Sequence, residues 1–584
     1  MSMLSSLDLS QPFVLLDDAR PTDAAPARLY RDPVETIATD DPARLPACLA
    51  ALRYAAGHGL HVAGWLAYDA GIPGEPSTGK TGAALMWFGL FQRFEAIAPE
   101  EVSALLPDPA GAWAGMPQPE IDQRAYLAAF DRVKDYIAAG DVYQANLTFQ
   151  ATLPVAGDRL ALYARIRSKA AAGWGGIVHD GTRTLLSFSP EMFFRLDGGR
   201  IEARPMKGTD ARRADPVADA GAVRALAEDP KQRAENLMIV DLIRNDLSQV
   251  AVPGSVAVPA LFTVETYPTI HQMTSTVTAD LAEGRDAVSL IEAAFPCGSI
   301  TGAPKRRAMA VAAEVEAGTR GLYTGAIGRI DADGSAAFNV AIRTLVVDEM
   351  GSASIGLGSG IVADSEGVAE WRECLAKGEF VRAACPRFDL IETMPFDPLE
   401  GMVDLERHLA RMKRSADALR FVFDRHDLRN ELQAATFRLR ERMRIRMRLA
   451  ASGRVAIEVR PAPAEPPAPV VVPVVPLPVG TGDFRLAHKT SDRGFYDAAR
   501  GDAFEVVFVR PDGLLTEGSY TNLFVERDGQ LLTPPLRHGV LPGVLRERLI
   551  ETGKAAEHDL VKADLQDGFL LGNALRGLIR ARLP

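Results

Sequence analysis

Cysteine is scarce in this sequence of 584 residues. Cys48, Cys297, Cys374 and Cys385 are the whole complement, with no CxxC pair and no regular spacing. That excludes a disulfide framework and a zinc ribbon, and a reducing cytoplasm is the expected compartment. Basic charge is also in deficit, with 65 Lys and Arg against 76 Asp and Glu and a net charge of -11. A chain so charged has no general surface for neutralising phosphates, so nucleic acid is not an expected partner. Long apolar runs are missing too. The longest uncharged one, residues 466–482, is broken by prolines that a membrane helix does not tolerate, so no membrane association is expected. Asp8, Asp17 and Asp18 surround the first short apolar run with no basic residue before it, so no signal peptide is expected either. What is present is a 47% apolar composition over a length that calls for about two to four domains.

Residues 13–95 mix short apolar runs with Gly and Pro turns, which predicts strands of an α+β domain. Helical spacing over 126–139 ends at Gly140, before a strand-like run to Leu147. In Arg204-Pro205-Met206-Lys207-Gly208-Thr209 a proline and a glycine flank a single lysine, which suits a turn presenting one amine. A solvated turn lysine is the commoner case and only the remaining motifs can displace it. Leu185 to Ser189 reads as a strand ending near Glu191, sixteen residues before Lys207. A strand-turn-strand unit could join the two as general acid and nucleophile, or Glu191 could serve an ordinary ion pair. The 234–246 helix is apolar over most of its surface yet carries Glu235 and Asp241, which need a salt-bridge partner or a metal. Glu370, Glu373 and Lys377 share one helical face, and carboxylates from two helices with water suit Mg²⁺. Residues 295–305 form a loop entering a helix, and Gly356-Leu357-Gly358-Ser359-Gly360 is glycine-rich without being GxGxxG. Arg343 in a strand-like run would want an anion, from substrate or from a structural carboxylate.

Together these motifs resemble the chorismate-utilising enzymes, the family of anthranilate synthase component I and aminodeoxychorismate synthase component I, over most of residues 13–385. The resemblance implies that Glu235 and Glu373 bind Mg²⁺, with Glu370 acting through water, and that Mg²⁺ holds the ring carboxylate of chorismate. It implies carboxylate binding by Thr301, Tyr323, Arg343, Gly358 and Gly360, and places His271 in the pocket wall. Gln232 departs from the pattern, since the family often has an acid there. Lys207 is similar to the lysine of the aminodeoxychorismate synthases, where anthranilate synthases carry alanine. It implies a covalent adduct that ammonia displaces at C4, with Glu191 as general acid and base. No cysteine sits in a Gly-x-Cys-x-Gly elbow, so ammonia is expected free or from a separate glutamine amidotransferase subunit.

After residue 386 come His408 to Met412 on a helix, then Arg440, Arg442, Arg444, Arg446 and Arg448 at period two. That period puts the arginines on one strand face, with a solvated face expected and an anion site the alternative. Residues 461–478 contain eight prolines and read as a stiff linker. Leu486 to Arg493, Leu515 to Phe524 and Leu541 to Arg546 resemble the class IV pyridoxal-phosphate enzymes. The resemblance implies Lys489 as the Schiff-base lysine and Glu517 as partner of the pyridine nitrogen. It also implies Arg411 with the backbone N–H groups of Val544 and Leu545 as the phosphate site. Asn573, in Gly572-Asn573-Ala574-Leu575, is similar to the lyases of that class more than to its transaminases.

The expected architecture is thus α+β: a chorismate-binding domain over 1–385 with a sheet core and surrounding helices, then a two-subdomain class IV domain over 386–584. The expected function is amination of chorismate at C4 followed by elimination of pyruvate to give 4-aminobenzoate, a folate precursor. A chorismate-aminating domain fused to an amino-acid transaminase is the alternative, and class IV resemblance implies a homodimer through the second domain.

Overall fold

The computed structural model describes residues 7–71, 84–267, 270–348 and 351–584, and it is a mixed helix and strand structure throughout. The chain divides into two compact units, the first holding most of 7–382 and the second all of 383–584. Two early segments, 106–115 and 154–165, belong to the second unit. Trp113 joins Phe388 and Phe484 in its core.

In the first unit the alternation of short apolar strands builds two large antiparallel sheets. One runs in the order Gly302–Ala303, Gln144–Gly157, Ser352–Ile361, Thr344–Val347, Thr184–Ser189, Trp174–His179, Phe13–Asp17, Ala27–Arg31, Glu95–Ile97. The other runs Met206–Ala211, Ile270–Asp280, Arg200–Ala203, Met192–Asp197, Ala336–Val340, Ala326–Ile330, His61–Leu66, Met86–Phe91, Glu35–Thr39. Val14, Tyr30, Trp65, Phe91 and Ile327 form the apolar layer shared by the two sheets. The second sheet buries its other face against helices Leu45–Gly57, Pro230–Ser248 and Ala287–Ala294 through Leu52, Ile239, Ile243 and Leu290. Side chains of adjacent strand residues point to opposite faces, so one strand can serve both layers. Helix Pro230–Ser248 starts where Asp229 accepts a hydrogen bond from the Gln232 N–H at 3.0 Å and proline occupies the first turn.

The second unit has a four-stranded sheet, Gly401–Met402, Leu390–Asp397, Met443–Leu449, Val455–Pro461, backed by helices Leu405–Ala418 and Arg425–Thr436. A six-stranded sheet follows, from Val470–Val471 through Gly577–Arg582, Phe569–Asn573, Asn522–Arg527 and Gln530–Thr533 to Ala555–Glu557. The proline-rich run is partly strand. Val470–Val471 pairs in parallel with Ala581 and Arg582, and Val474–Pro476 with Val507–Val509. The prolines fall at the ends of these short pieces, where a missing N–H costs the ladder least. Among the described residues no helix is long and apolar enough to cross a membrane.

Candidate functional site

Lys207 owes its position to a bulge. Strand Met206–Ala211 pairs antiparallel with Ile270–Asp280, yet Met206 faces Thr274 while Thr209 faces Gln272. One strand therefore carries an extra residue, and Lys207 and Gly208 stand outside the regular ladder. Gly208 takes φ +88, which glycine adopts without a steric penalty. Gln272 Nε2 donates to the Gly208 carbonyl and Thr209 Oγ1 donates to Gln272 Oε1, each at 2.8 Å, so the distortion is fixed on both sides. Burial pushes the Lys207 amine below the ordinary lysine range; the Glu191 carboxylate opposes that and the Lys377 ammonium adds to it. Glu235 and Glu373 are the other charges whose fields reach this amine. Five groups separated by up to 186 positions in sequence are thereby one electrostatic cluster.

Glu191 is buried, and Ser299 Oγ donates to its Oε1 at 2.6 Å. Burial pushes the Glu191 carboxyl up, against the pull of the Ser299 hydroxyl and of Lys207 and Lys377. A carboxyl with a raised pKa beside an amine with a lowered one is an acid-base pair in which the cost of exchanging a proton is reduced. Sequence reasoning missed Ser299, which lies 108 positions from its partner and has no spacing that signals it. Thr301, two residues on, is buried with its hydroxyl donating to the carbonyls of Cys297 and Gly298 at 3.3 and 3.2 Å.

The Glu235 side chain has no hydrogen bond or ion pair with any described residue. Burial raises its pKa; Lys207 and Lys231 oppose the rise, and Asp364 and Glu370 enlarge it. Glu373 pairs with Lys377 at 2.7 Å, and that ammonium also donates to the Gly358 carbonyl at 3.0 Å. Among the described residues no three His, Cys, Asp or Glu side chains converge as a preformed metal cage. An unpartnered carboxylate on one helix and further carboxylates on another are an all-oxygen donor set. They fit Mg²⁺, which keeps several waters and completes its shell on the substrate.

The remaining residues sort by what they already hold. Arg343 sits at φ +49, and burial lowers its pKa while no described residue offers its side chain a hydrogen bond or ion pair. Backbone strain and an unpartnered guanidinium together describe a side chain held ready for an anion. Tyr323 is pressed against Gly356, where an added Cβ would stand 2.0 Å from the ring. Gly358 and Gly360 lie as close to residues 144–148, with Cβ positions 2.7 Å from the Leu147 carbonyl and 3.0 Å from Asn146 Oδ1. The glycines therefore serve strand packing in the first instance. His271 is not drawn into the Lys207 cluster: its two ring nitrogens are taken by Thr266 Oγ1 at 3.0 Å and Asp219 Oδ1 at 2.8 Å.

In the second unit a cavity of about 490 Å³ collects Lys489, Glu517, Arg411, Val544 and Asn573. Lys489 follows the short helix Phe484–Ala487 and its carbonyl accepts from the Ile391 N–H at 2.8 Å, which ties it to the four-stranded sheet. Burial, then the Arg411 charge, bring its amine down to about 7. Glu517 accepts from Tyr496 Oη at 3.0 Å, Asn522 Nδ2 at 3.0 Å and the Leu541 N–H at 3.1 Å, yet burial pushes it up to about 8. A cationic ring nitrogen beside it would restore the carboxylate.

Arg411 lies on helix Leu405–Ala418 and is aimed by Glu392. Its Nε and Nη2 donate to that carboxylate at 2.8 and 2.6 Å, and His408 Nδ1 meets the same group at 2.6 Å. Burial would raise Glu392, but Arg411 and His408 hold it far below the ordinary carboxylate range. His408 Nε2 is buried with no hydrogen-bond partner among the described residues. Helix Val544–Glu551 begins beside the cavity, and the N–H groups of Val544 and Leu545 have no acceptor among the described residues. A lysine amine, a buried carboxyl, an aimed guanidinium and free helix N–H groups fit the aldehyde, ring nitrogen and phosphate of pyridoxal phosphate. Asn573 Oδ1 accepts from the N–H groups of Leu575 and Arg576 at 3.0 and 2.9 Å, so it shapes the turn at the cavity wall.

Two further residues support this wall. Gly543 stands so close to Asn522 that a Cβ would fall 1.8 Å from Oδ1. Gly543→Ala must displace Asn522 and strip one donor from Glu517. It is expected to weaken cofactor uptake about tenfold or more, read by titrating the visible band of bound pyridoxal phosphate; unchanged affinity would show that the helix start can shift freely. Glu505 is fully buried and accepts from the N–H groups of Val506, Ser519 and Tyr520 and the hydroxyls of Ser519 and Thr521 at 2.6 to 3.1 Å. It thus holds the loop that follows Glu517. Glu505→Ala leaves five donors without an acceptor, at about 1–3 kcal/mol for each that stays dry. The cofactor-sensitive melting transition is expected to drop by at least about 6 °C, and a smaller drop would mean that water replaces the carboxylate.

Two family models match the chain in sequence. The family model described as chorismate binding enzyme matches residues 11–383, and the one described as amino-transferase class IV matches 389–583. Aminodeoxychorismate synthase component 1 of Klebsiella aerogenes is 43% identical over 257 residues, 44% of this chain and 57% of that protein. Anthranilate synthase component 1 of Streptomyces coelicolor is 40% identical over 259 residues, 44% of this chain and 50% of its own length. The chain spans about half the length of these relatives. The solved anthranilate synthase component I of Streptococcus pneumoniae shares the fold of the first unit, with a TM-score of 0.54 at 24% identity over 62% of this chain and 93% of that one.

Proposed function

Because the chain belongs to the chorismate binding enzyme family, we propose that its first unit aminates chorismate at C4 and its second releases pyruvate from the product, making 4-aminobenzoate. The observation that carries the reading is the cluster of Lys207 with Glu191, Glu235 and Glu373, since a lysine at this place is what separates C4 amination from anthranilate formation in the family it resembles.

Neutral Lys207 Nζ forms a bond to the ring as the C4–O bond breaks. Glu191 gives its proton to the departing hydroxyl, which leaves as water, and takes one back from the adduct nitrogen. Ammonia then bonds at C4 while the bond to Nζ breaks, and Glu191 moves the proton from the incoming nitrogen to the lysine. Glu235 and Glu373, with Glu370 through water, would hold Mg²⁺, which supplies the positive charge that the ring carboxylate needs when bound. Arg343 offers its free guanidinium to a substrate carboxylate. A separate amidotransferase subunit supplies ammonia, and the chain works as a cytoplasmic homodimer through its second unit.

Pyridoxal phosphate, when bound, supplies an electron sink. Arg411, Val544 and Leu545 would hold its phosphate and Glu517 would keep the proton on its ring nitrogen, while the Lys489 amine would take the substrate's C4 proton as the substrate ring becomes aromatic and pyruvate leaves. The test is to incubate the chain with chorismate, Mg²⁺, ammonium and pyridoxal phosphate, with and without an added 2-oxo acid. Equal amounts of 4-aminobenzoate and pyruvate are expected in both cases; consumption of the oxo acid would make the second unit a transaminase.

A further inference from the structure

A buried thiol lies against the acid-base pair of the first unit. Cys297 Sγ is 3.2 Å from Ser299 Oγ, and the Ser299 hydroxyl donates to Glu191 Oε1 at 2.6 Å. All three side chains are buried. Lys305 fixes the loop that carries the first two. Its amine donates to the Ala294 carbonyl, just before the loop, at 2.8 Å and to Asp246 of helix Pro230–Ser248 at 2.7 Å. The loop 295–304 is thereby clamped at both ends.

A hydroxyl has one proton to donate. Ser299 gives it to Glu191, so in the contact with Cys297 the sulfur must be the donor and Ser299 Oγ the acceptor. Burial pushes the Cys297 thiol up to about 12, which keeps its proton in place at any working pH. The line therefore runs one way, from S–H to O–H to Oε1. Glu191 Oε2, by contrast, has no hydrogen bond with any described residue. A proton placed on Oε1 would have to reverse both bonds and leave the sulfur as a weak acceptor, whereas one placed on Oε2 disturbs neither. The charged groups that reach Glu191 are Lys207 on strand Met206–Ala211 and Lys377 on helix Gly367–Lys377, and both favour its carboxylate, as Ser299 does. The groups on its backbone are neutral: Ser189 Oγ accepts from its N–H at 3.2 Å, and the Val340 N–H donates to its carbonyl at 3.1 Å.

We propose that Cys297 and Ser299 are positioning residues of the first unit, a one-way donor line that occupies Glu191 Oε1 and reserves Oε2 for proton transfer. Glu191 then gives its proton to the departing hydroxyl from Oε2 and takes the next one from the adduct nitrogen on the same atom. The carboxyl need not turn between the steps. The inference deepens the reading of Glu191 as the acid and base of C4 amination, and it rests on that reading.

The experiment follows consumption of chorismate by the full chain across a pH series, with Mg²⁺ and a fixed concentration of free ammonia, and identifies the product by chromatography. The limb on which the rate falls as pH rises is set by loss of the Glu191 proton. In Ser299→Ala it is expected to move up by about one pH unit, because a donor that favours the carboxylate is gone. With Oε2 no longer singled out, kcat at neutral pH should fall about tenfold, while KM for chorismate stays within about twofold of wild type. Cys297→Ala should move the same limb in the same direction by less, and Cys297→Ser, which keeps a donor, should restore it. Cys297→Ala stands in if Ser299→Ala does not fold. A limb that stays at the wild-type pH in Ser299→Ala, a rise in KM with kcat unchanged, or a Cys297→Ser variant no better than Cys297→Ala overturns the proposal. A wild-type chain that gives no aminodeoxychorismate overturns the reading on which it rests, and the proposal with it.

Discussion

Lys207→Ala is expected to lower amination at C4 by about 10³-fold or more, because it removes the atom that bonds to the ring and not an aid to it. The substitution leaves Glu191, Ser299 and the carboxylates in place, and the bulge is held by Gly208 and Gln272, so the fold should survive. Chorismate binding should persist, and the second unit should still convert added aminodeoxychorismate. The pH dependence has a definite sign. Burial lowers the Lys207 pKa, so the neutral amine stays populated below the usual lysine range; as pH falls through that lowered value the amine protonates and the rate declines. Retention of even a tenth of the wild-type rate in Lys207→Ala would remove the lysine from the chemistry.

Lys489→Ala has the second large expected effect. The first reaction should continue, aminodeoxychorismate should accumulate, and formation of 4-aminobenzoate should drop by about 10³-fold or more, since one side chain both carries the cofactor and moves the C4 proton. Because its amine is brought to about 7, capture of pyridoxal phosphate by the wild-type apo chain should slow about tenfold per pH unit below pH 7 and level off above it. A profile flat from pH 5 to 8 would place the reactive amine elsewhere.

Motif-bearing stretches made much of this legible. Lys207, Glu191, Glu235 and Glu373 lie in segments whose residue types announce themselves, and one electrostatic cluster is where the fold puts them. What could not be read was anything set by register or by long-range contact. The bulge that frees Lys207 exists only as a mismatch with residues 272–274, and Ser299 reaches Glu191 across two elements. Glu392 and Glu505 look like unremarkable acids in apolar runs until three and five hydrogen bonds respectively converge on them. Period two suits Arg444, Arg446 and Arg448, which lie on strand Met443–Leu449, but Arg440 and Arg442 precede that strand, and which arginines meet solvent and which meet the cavity depends on the neighbouring strands. Composition marked 461–478 as stiff linker, whereas short parallel pairing of valines takes up part of it. The segments 106–115 and 154–165 carry no sign in sequence that they belong with the second unit.

The most direct test of two active sites in one chain is to mix purified Lys207→Ala and Lys489→Ala proteins with chorismate, Mg²⁺, ammonium and pyridoxal phosphate. Each alone should make no 4-aminobenzoate, and the mixture should make it, with the Lys489→Ala chain supplying aminodeoxychorismate to the Lys207→Ala chain. Formation of 4-aminobenzoate by either variant on its own at a tenth of the wild-type rate or more would contradict the account.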